Sequence, residues 1–336
     1  MKAIVLRTIG GPELLSLEEA SDPVPEGGEV VVHLQAAALN HRDVWIRTGK
    51  YAGILLPIIP GSDGAGTVSS VGAGVDTSLI GHEVIINPAM QWGPSPRYQG
   101  KQFQILGLPQ NGTYAEYVKV PAGNIFPKPK WLSFEEAAAL PLAGVTAYRA
   151  TVTRAQVSAG ETVVITGIGG GVATFALMIA KQRNARVFVT SGSDAKLDRA
   201  AALGANGGVN YHNADWIKEL AAKAGHVDVV IDGAGGMVFD SSLDLLSPGG
   251  RVAIYGATVG PVHELQVRRI FWKQLTVLGS TMGSPHDFEE MLSLFGKDGL
   301  RPAIDSVYPL ERAPDAHRRM EEREQFGKIV LAIEQQ

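Results

Sequence analysis

Thr166-Gly167-Ile168-Gly169-Gly170-Gly171-Val172-Ala173 follows the apolar run Glu161–Ile165 and opens a second apolar run, Phe175–Lys181. A strand, a glycine turn and a helix in that order predict a dinucleotide pyrophosphate site. The turn must bring bare backbone close to a phosphate, and the first N–H groups of the helix supply partial positive charge. Glycines 169, 170 and 171 clear the space, and Gly167 and Val172 complete the candidate contacts. The string is not a strict G-x-G-x-x-G, so the reading rests on the flanking strand and helix; a ligand-free glycine turn is the alternative.

The next strand, Arg186–Thr190, ends in Ser191-Gly192-Ser193-Asp194-Ala195-Lys196. An NAD-specific fold places an acid about 20 residues beyond the glycine loop, on the ribose 2′-hydroxyl. Ser191 holds that place here. A small hydroxylated residue leaves room for a 2′-phosphate, and Lys196 could neutralise it, so NADP(H) is the expected cofactor. Two alternatives stand: Lys196 only begins a solvated helix, Lys196–Leu203, and Asp194 is the missing acid a few residues late. Further strand ends in Asp232-Gly233-Ala234-Gly235-Gly236, Gly256-Ala257-Thr258 and Gly279-Ser280-Thr281 offer Asp232, Gly256 and Ser280 to the nicotinamide side. The plain role of these glycine-rich ends is to turn the chain.

From residue 160 strands alternate with helices, at Glu161–Ile165, Arg186–Thr190, Gly208–Asn210, Val227–Ile231, Arg251–Tyr255 and Leu275–Leu278. That alternation predicts an α/β doubly wound parallel sheet. Before it, short β-segments split by Gly and Pro (Ala3–Leu6, Glu29–Ala36, Gly66–Val71, His82–Asn87) predict a barrel-like β-domain. Ser133 and Glu136 have the spacing of a capping box ahead of Ala137-Ala138-Ala139-Leu140, past a boundary at Pro127-Lys128-Pro129. The expected domains are 1–126, with a return at 305–336 formed by a helix Ala313–Glu322 and a strand Lys328–Ile333, and 127–304.

The chain has 336 residues, 45% hydrophobic and 19% charged, with a formal net charge of −4. That is enough for two cores, and it offers no basic surface for nucleic acid. Met1–Arg7 is too short an apolar run for a signal peptide, and no stretch of about 18 apolar residues occurs, so no membrane and a cytoplasmic location are expected. The absence of cysteine excludes disulfides, thiolate catalysis and cysteine-ligated zinc.

The sequence of a β-domain, a dinucleotide fold and a returning tail resembles the medium-chain dehydrogenase/reductase superfamily over nearly the whole chain. Landmarks are Leu39-Asn40-His41-Arg42-Asp43, Pro60-Gly61-Ser62-Asp63-Gly64-Ala65-Gly66, Asn111-Gly112-Thr113-Tyr114-Ala115-Glu116-Tyr117 and Ala143-Gly144-Val145-Thr146-Ala147-Tyr148. The resemblance implies a GroES-like β-domain and a Rossmann domain. Zinc-dependent members carry a cysteine where this chain has Asn40, a His-Glu pair where it has Ser62-Asp63, and a third ligand near Leu142, so no metal is expected. Gly81-His82-Glu83 spells a similar motif in the wrong place.

The chain therefore resembles the zinc-independent quinone oxidoreductase branch, which implies Asn40 and Asp43 as pocket residues near the nicotinamide. Thr146 is assigned to the nicotinamide or its ribose. Tyr211 sits where the NADPH-binding members have a tyrosine against the 2′-phosphate; covering the core is its alternative role. That branch often has a tyrosine soon after the aspartate, and this chain reads Asp43-Val44-Trp45-Ile46 instead.

The expected activity is NADPH-dependent hydride transfer to quinones or α,β-unsaturated carbonyls, electron-poor acceptors that a modest donor such as the Asn40 amide can assist. Asn40 bracing a local turn is the competing role. Two other functions remain open: an alcohol or carbonyl dehydrogenase with a metal on His41, Asp43, Asp63 and His82, and a low-turnover NADPH-binding protein similar to lens crystallins. The loop Gln91–Leu108 is expected to cover the cleft, with Trp45, Trp92 and Phe103 either receiving a flat aromatic guest or filling the core. An apolar edge at Leu275–Leu278 predicts a homodimer, also the expectation for the family.

Overall fold

The computed structural model describes residues 1–297 and 299–334. Residue 298 of the expected second domain and residues 335 and 336 of the expected return lie outside it. The chain divides into two units, Met1–Ala143 with Ser284–Gln336, and Gly144–Gly283.

The first unit opens with an antiparallel pair, β1 (Lys2–Leu6) and β2 (Leu15–Glu19). Its main sheet uses β3 (Glu29–Ala38), β4 (Asp63–Val71) and β5 (Glu83–Ile86). A short pair, β6 (Ala89–Met90) and β7 (Gln104–Ile105), follows, then β8 (Tyr117–Pro121) and β9 (Ile125–Pro127). Helix α1 (His41–Arg47) leaves the end of β3, and α2 (Phe134–Ala139) packs on β3 and β4. The expected capping box is present on α2: Ser133 N–H donates to Glu136 Oε2 at 2.9 Å and Glu136 N–H to Ser133 Oγ at 3.2 Å.

The second unit begins inside α3 (Pro141–Tyr148). It contains β10 (Thr162–Ile165), β11 (Arg186–Ser191), β12 (Gly207–Asn210), β13 (Val229–Asp232), β14 (Arg251–Ile254) and β15 (Thr276–Gly279). Between them run α4 (Gly171–Gln182), α5 (Asp194–Ala202), α6 (Trp216–Ala224), α7 (Gly236–Leu245) and α8 (Val267–Trp272). All pairings are parallel, in the order β12-β11-β10-β13-β14-β15. The order reverses between β10 and β13, and in such sheets ligands sit beyond the carboxyl ends of the strands at that point.

The chain then re-enters the first unit through α9 (Pro285–Lys297), β16 (Ile304–Pro309), α10 (Ala313–Glu321) and β17 (Lys328–Ala332). β17 pairs antiparallel with β3, Val330 opposite Ala38, so the tail completes the β-sheet as expected. The unit limits fall inside the expected 127–304 segment because α2 and α9 pack with the β-unit; Phe288 of α9 lies 4.9 Å from Phe126, ring centre to ring centre.

Each unit has its own core. Val30, Val32, Leu34, Ile329 and Leu331 anchor the first, and Val164, Phe188, Leu220, Val230 and Val252 the second. Val163, Val164 and Ile165 are all fully buried, the pattern of a parallel strand covered on both faces. β4 crosses close to β3 at Gly66, where a Cβ would meet His33 O at 2.1 Å; only glycine allows that approach, next to a register shift between Leu34 and Ala36. Among the described residues no helix is long and apolar enough to cross a membrane.

Candidate active site

In the α/β unit, the glycine loop joins β10 to α4. Gly167 and Gly169 take φ of +64° and +125°, conformations that disfavour a side chain. A Cβ built on Gly167 or Gly170 would enter open space, so the loop leaves a bare cradle. No side chain caps α4, whose first-turn N–H groups face that cradle with the positive end of the helix dipole. The loop is held from β11: Gly167 N–H donates to Thr190 Oγ1 at 3.1 Å and Ile168 N–H to Thr190 O at 2.8 Å.

Asp232 lies at the end of β13 and is fully buried. Its Oδ1 accepts from the Thr166 hydroxyl at 2.5 Å and from Ala234 N–H at 3.2 Å, and its Oδ2 from Gly235 N–H at 2.9 Å. Burial pushes its carboxyl above the ordinary range, against the pull of these three donors. Asp232, expected on the nicotinamide side, has its carboxylate tied to the end of β10 through Thr166 and to its own turn through Ala234 and Gly235. Gly256 lets the neighbouring ends close up, since a Cβ there would stand 3.0 Å from Gly233 O.

Ser191 ends β11 almost wholly buried, its Oγ accepting from Ser193 N–H at 3.1 Å. Tyr211 N–H donates to Ser191 O at 2.9 Å, and a Cβ on Gly192 would be 2.7 Å from the Tyr211 hydroxyl. Ser191, Gly192 and Tyr211 thus stand side by side. Tyr211 is 41% exposed, which removes the alternative of a core cover. Asp194, the competing acid, accepts from Asn210 Nδ2 at 2.9 Å. Lys196 is half-buried in the first turn of α5. Ser280, after β15, has a buried hydroxyl with no partner, and the buried Thr146 hydroxyl lies 3.9 Å from Met282 Sδ.

In the β-unit, Asn40 precedes α1, and its N–H donates to Asp43 Oδ2 at 2.8 Å. Asp43 also accepts from the Tyr114 hydroxyl at 3.1 Å and is shut from solvent, with Oδ1 unpartnered. Burial raises its carboxyl, opposed first by the Arg42 charge and then by the Asn40 N–H. Asp43, expected in the pocket, caps α1 and holds the Asn40 backbone. Tyr114, buried beside it, is pushed well up by burial and by the Asp43 charge.

The Asn40 side chain belongs to a closed network. Its Nδ2 donates to Asp63 Oδ2 at 2.9 Å, and its Oδ1 accepts from Lys328 Nζ at 2.8 Å. Lys328 also donates to Leu39 O at 2.7 Å and to Asp63 Oδ2 at 2.9 Å, while Asp63 Oδ1 accepts from Leu142 N–H at 2.8 Å. Ser62 accepts from Arg42 at 2.6 Å and donates to Leu106 O at 2.8 Å. His41 is drawn down to about 4, by burial first and then by the charges of Lys328 and Arg323, so its ring is neutral near pH 7. Among the described residues, no three His, Cys, Asp or Glu side chains stand together to hold a metal, and His41, Asp43, Asp63 and His82 do not combine.

Sequence reasoning passed over Lys328. Its signal was a charge opening the apolar run Lys328-Ile329-Val330-Leu331, at a position that packing buries. In the Gln91–Leu108 loop, buried Trp92 meets Phe103 edge-on at 5.2 Å and donates Nε1 to Ser95 O at 2.8 Å, so these rings form the loop's own small core.

Comparison with known proteins agrees with this architecture. Residues 26–130 match the alcohol dehydrogenase GroES-like domain and residues 171–297 the zinc-binding dehydrogenase family. The chain is 35% identical to the zinc-type alcohol dehydrogenase-like protein YogA of Leptosphaeria maculans, over 95% of this chain and 94% of that one. It is 31% identical to the quinone oxidoreductase of Mus musculus, over 99% and 98% of the two chains. A crystal structure of an NAD-dependent alcohol dehydrogenase superimposes with a TM-score of 0.95 at 43% identity, covering 99% of this chain and 100% of that one.

The chain belongs to the medium-chain dehydrogenase/reductase superfamily. It is an oxidoreductase of that group, with a nicotinamide cofactor, NAD or NADP. The cradle at Gly167–Gly171 fits such a cofactor. In the β-unit Asn40 and Asp63 are engaged by the Lys328 ammonium and Ser62 by Arg42 and Leu106 O, whereas a zinc ion needs three or four converging ligands.

Proposed function

We propose that the protein transfers hydride from NADPH to quinones or α,β-unsaturated carbonyls without zinc. The observation that carries this reading is the Asn40–Asp63–Lys328 network, in which an ammonium engages the groups a metal would need. Reducing an unactivated ketone or oxidising an alcohol calls for strong polarisation of the oxygen. A quinone or enone is already electron-poor, and one well-placed N–H steadies its developing oxyanion.

The nicotinamide, when bound, supplies the hydride. Gly167, Gly169, Gly170, Gly171 and Val172 would hold the pyrophosphate, Ser191, Lys196 and Tyr211 the 2′-phosphate, and Gly256, Ser280 and Thr146 the nicotinamide side. Asn40 would donate to the acceptor oxygen. Asn40→Ala is expected to lower kcat by about 10²-fold with KM for NADPH unchanged. Unchanged turnover of every acceptor would remove Asn40 from this role.

A second reading, an NAD-dependent alcohol or carbonyl dehydrogenase, is supported by the 43% identity to a structure of that description. In either reading we propose a homodimer formed along β15, an edge strand whose Val277 is 42% exposed.

A further inference from the structure

Resting on the proposed reduction, we infer that Lys328 is a positioning residue that orients and strengthens the Asn40 donor. Its ammonium has three hydrogens and three buried acceptors, Leu39 O, Asn40 Oδ1 and Asp63 Oδ2. It is saturated and only 3% exposed, so it gives no proton to a substrate. An ammonium only donates, so the Asn40 atom facing it must be Oδ1, and Nδ2 must point the other way.

Each other hydrogen-bonding group of Asn40 is then accounted for. Its backbone N–H is held by Asp43 Oδ2 and its carbonyl by Asp43 N–H at 2.9 Å. One Nδ2–H goes to Asp63 Oδ2. The second Nδ2–H remains, and the planarity of the amide fixes its direction. A cation on Oδ1 draws density from the nitrogen, so the remaining N–H is a better donor than that of an ordinary asparagine. Asp63 keeps the arrangement neutral: its charge cancels that of Lys328 while its Oδ1 is anchored on Leu142 N–H. The lysine thus acts on the acceptor only through Asn40.

Lys328→Met alone leaves Asp63 charged and buried and is at risk of not folding, so the neutral pair Asp63→Asn/Lys328→Met is the working variant. Two readouts separate this inference from the proposed reduction. In asparagine-labelled wild type, the side-chain amide resonances of Asn40, identified by their loss in Asn40→Ala, are expected to be shifted and protected from exchange. In the double variant they should move to the free-amide position and lose protection at least 10-fold; unchanged resonances would overturn the inference whether or not any acceptor is reduced. With a reducible quinone, kcat of the double variant should fall about 10- to 100-fold with KM for NADPH within about twofold of wild type. A kcat equal to wild type would overturn it. Wild type that reduces no acceptor would defeat the reduction itself and leave the resonances to decide the orientation of Asn40.

Discussion

Lys328 Nζ lies 2.9 Å from Asp63 Oδ2 in the β-unit, with side chains 3% and 0% exposed. Two buried charges cost several kcal/mol each in lost hydration, and only close pairing with further hydrogen bonds offsets that cost. Removing one partner strands the other. Lys328→Met is expected to destabilise the protein by about 3–5 kcal/mol, and Asp63→Asn/Lys328→Met by much less. Denaturant unfolding of wild type, both single variants and the double variant measures the coupling; additive single effects would contradict it.

His317 on α10 accepts at Nδ1 from Arg47 Nε at 3.3 Å and is fully buried. Burial, then the Arg47 charge, pulls its imidazole from 6.5 down to about 3. The unfolded chain takes up this proton near pH 6.5 and the folded chain only near 3. Stability from the neutral ring is therefore complete above about pH 6.5 and is lost as pH falls toward 3, by up to about 1.4 kcal/mol per unit. His317→Gln keeps an acceptor for Arg47 and removes the titration. Its unfolding free energy should decline less steeply than that of wild type between pH 6.5 and 4. His41, drawn down to about 4, adds the same sign in both proteins and cancels in the difference. Parallel curves would contradict the assignment.

Ser191 stands where an acid would meet a ribose 2′-hydroxyl, beside Tyr211. Ser191→Asp should raise KM for NADPH at least about 10-fold while leaving NADH unchanged or improved, because a carboxylate repels the 2′-phosphate. Steady-state kinetics with both cofactors reads this directly. An unchanged NADPH to NADH ratio would place the discrimination elsewhere.

Along β15, Thr276, Val277 and Gly279 are exposed at the end of the parallel sheet. Val277→Lys puts a charge on that edge and should convert a dimer to monomer in sedimentation at micromolar concentration. A variant that sediments as wild type does would exclude this edge as the interface.

Much of this architecture was legible because its signals are local. The glycine run after an apolar strand, the Ser133–Glu136 capping box and the alternation beyond residue 160 each depend on neighbours in sequence, and each has its counterpart in the structure. Strand limits moved by up to three residues, as at Gly66–Val71, observed as Asp63–Val71.

What escaped was long-range. Lys328 meets Asn40 across 288 positions and Arg47 meets His317 across 270, so neither pair leaves a pattern in any window of the chain. Asp43 and Asp232 were both read as ligand contacts because an acid near a turn is equally suited to touch a cofactor or to brace the backbone. The backbone bonds that each of them makes come into view only with the fold.

The central claim, hydride transfer without zinc, is tested most directly by following NADPH oxidation by chelator-treated protein with a panel of quinones, enones and aldehydes, run beside NADH. Turnover of quinones or enones with NADPH, undiminished by chelation, is the expected result. Silence toward every acceptor until zinc is restored would contradict it.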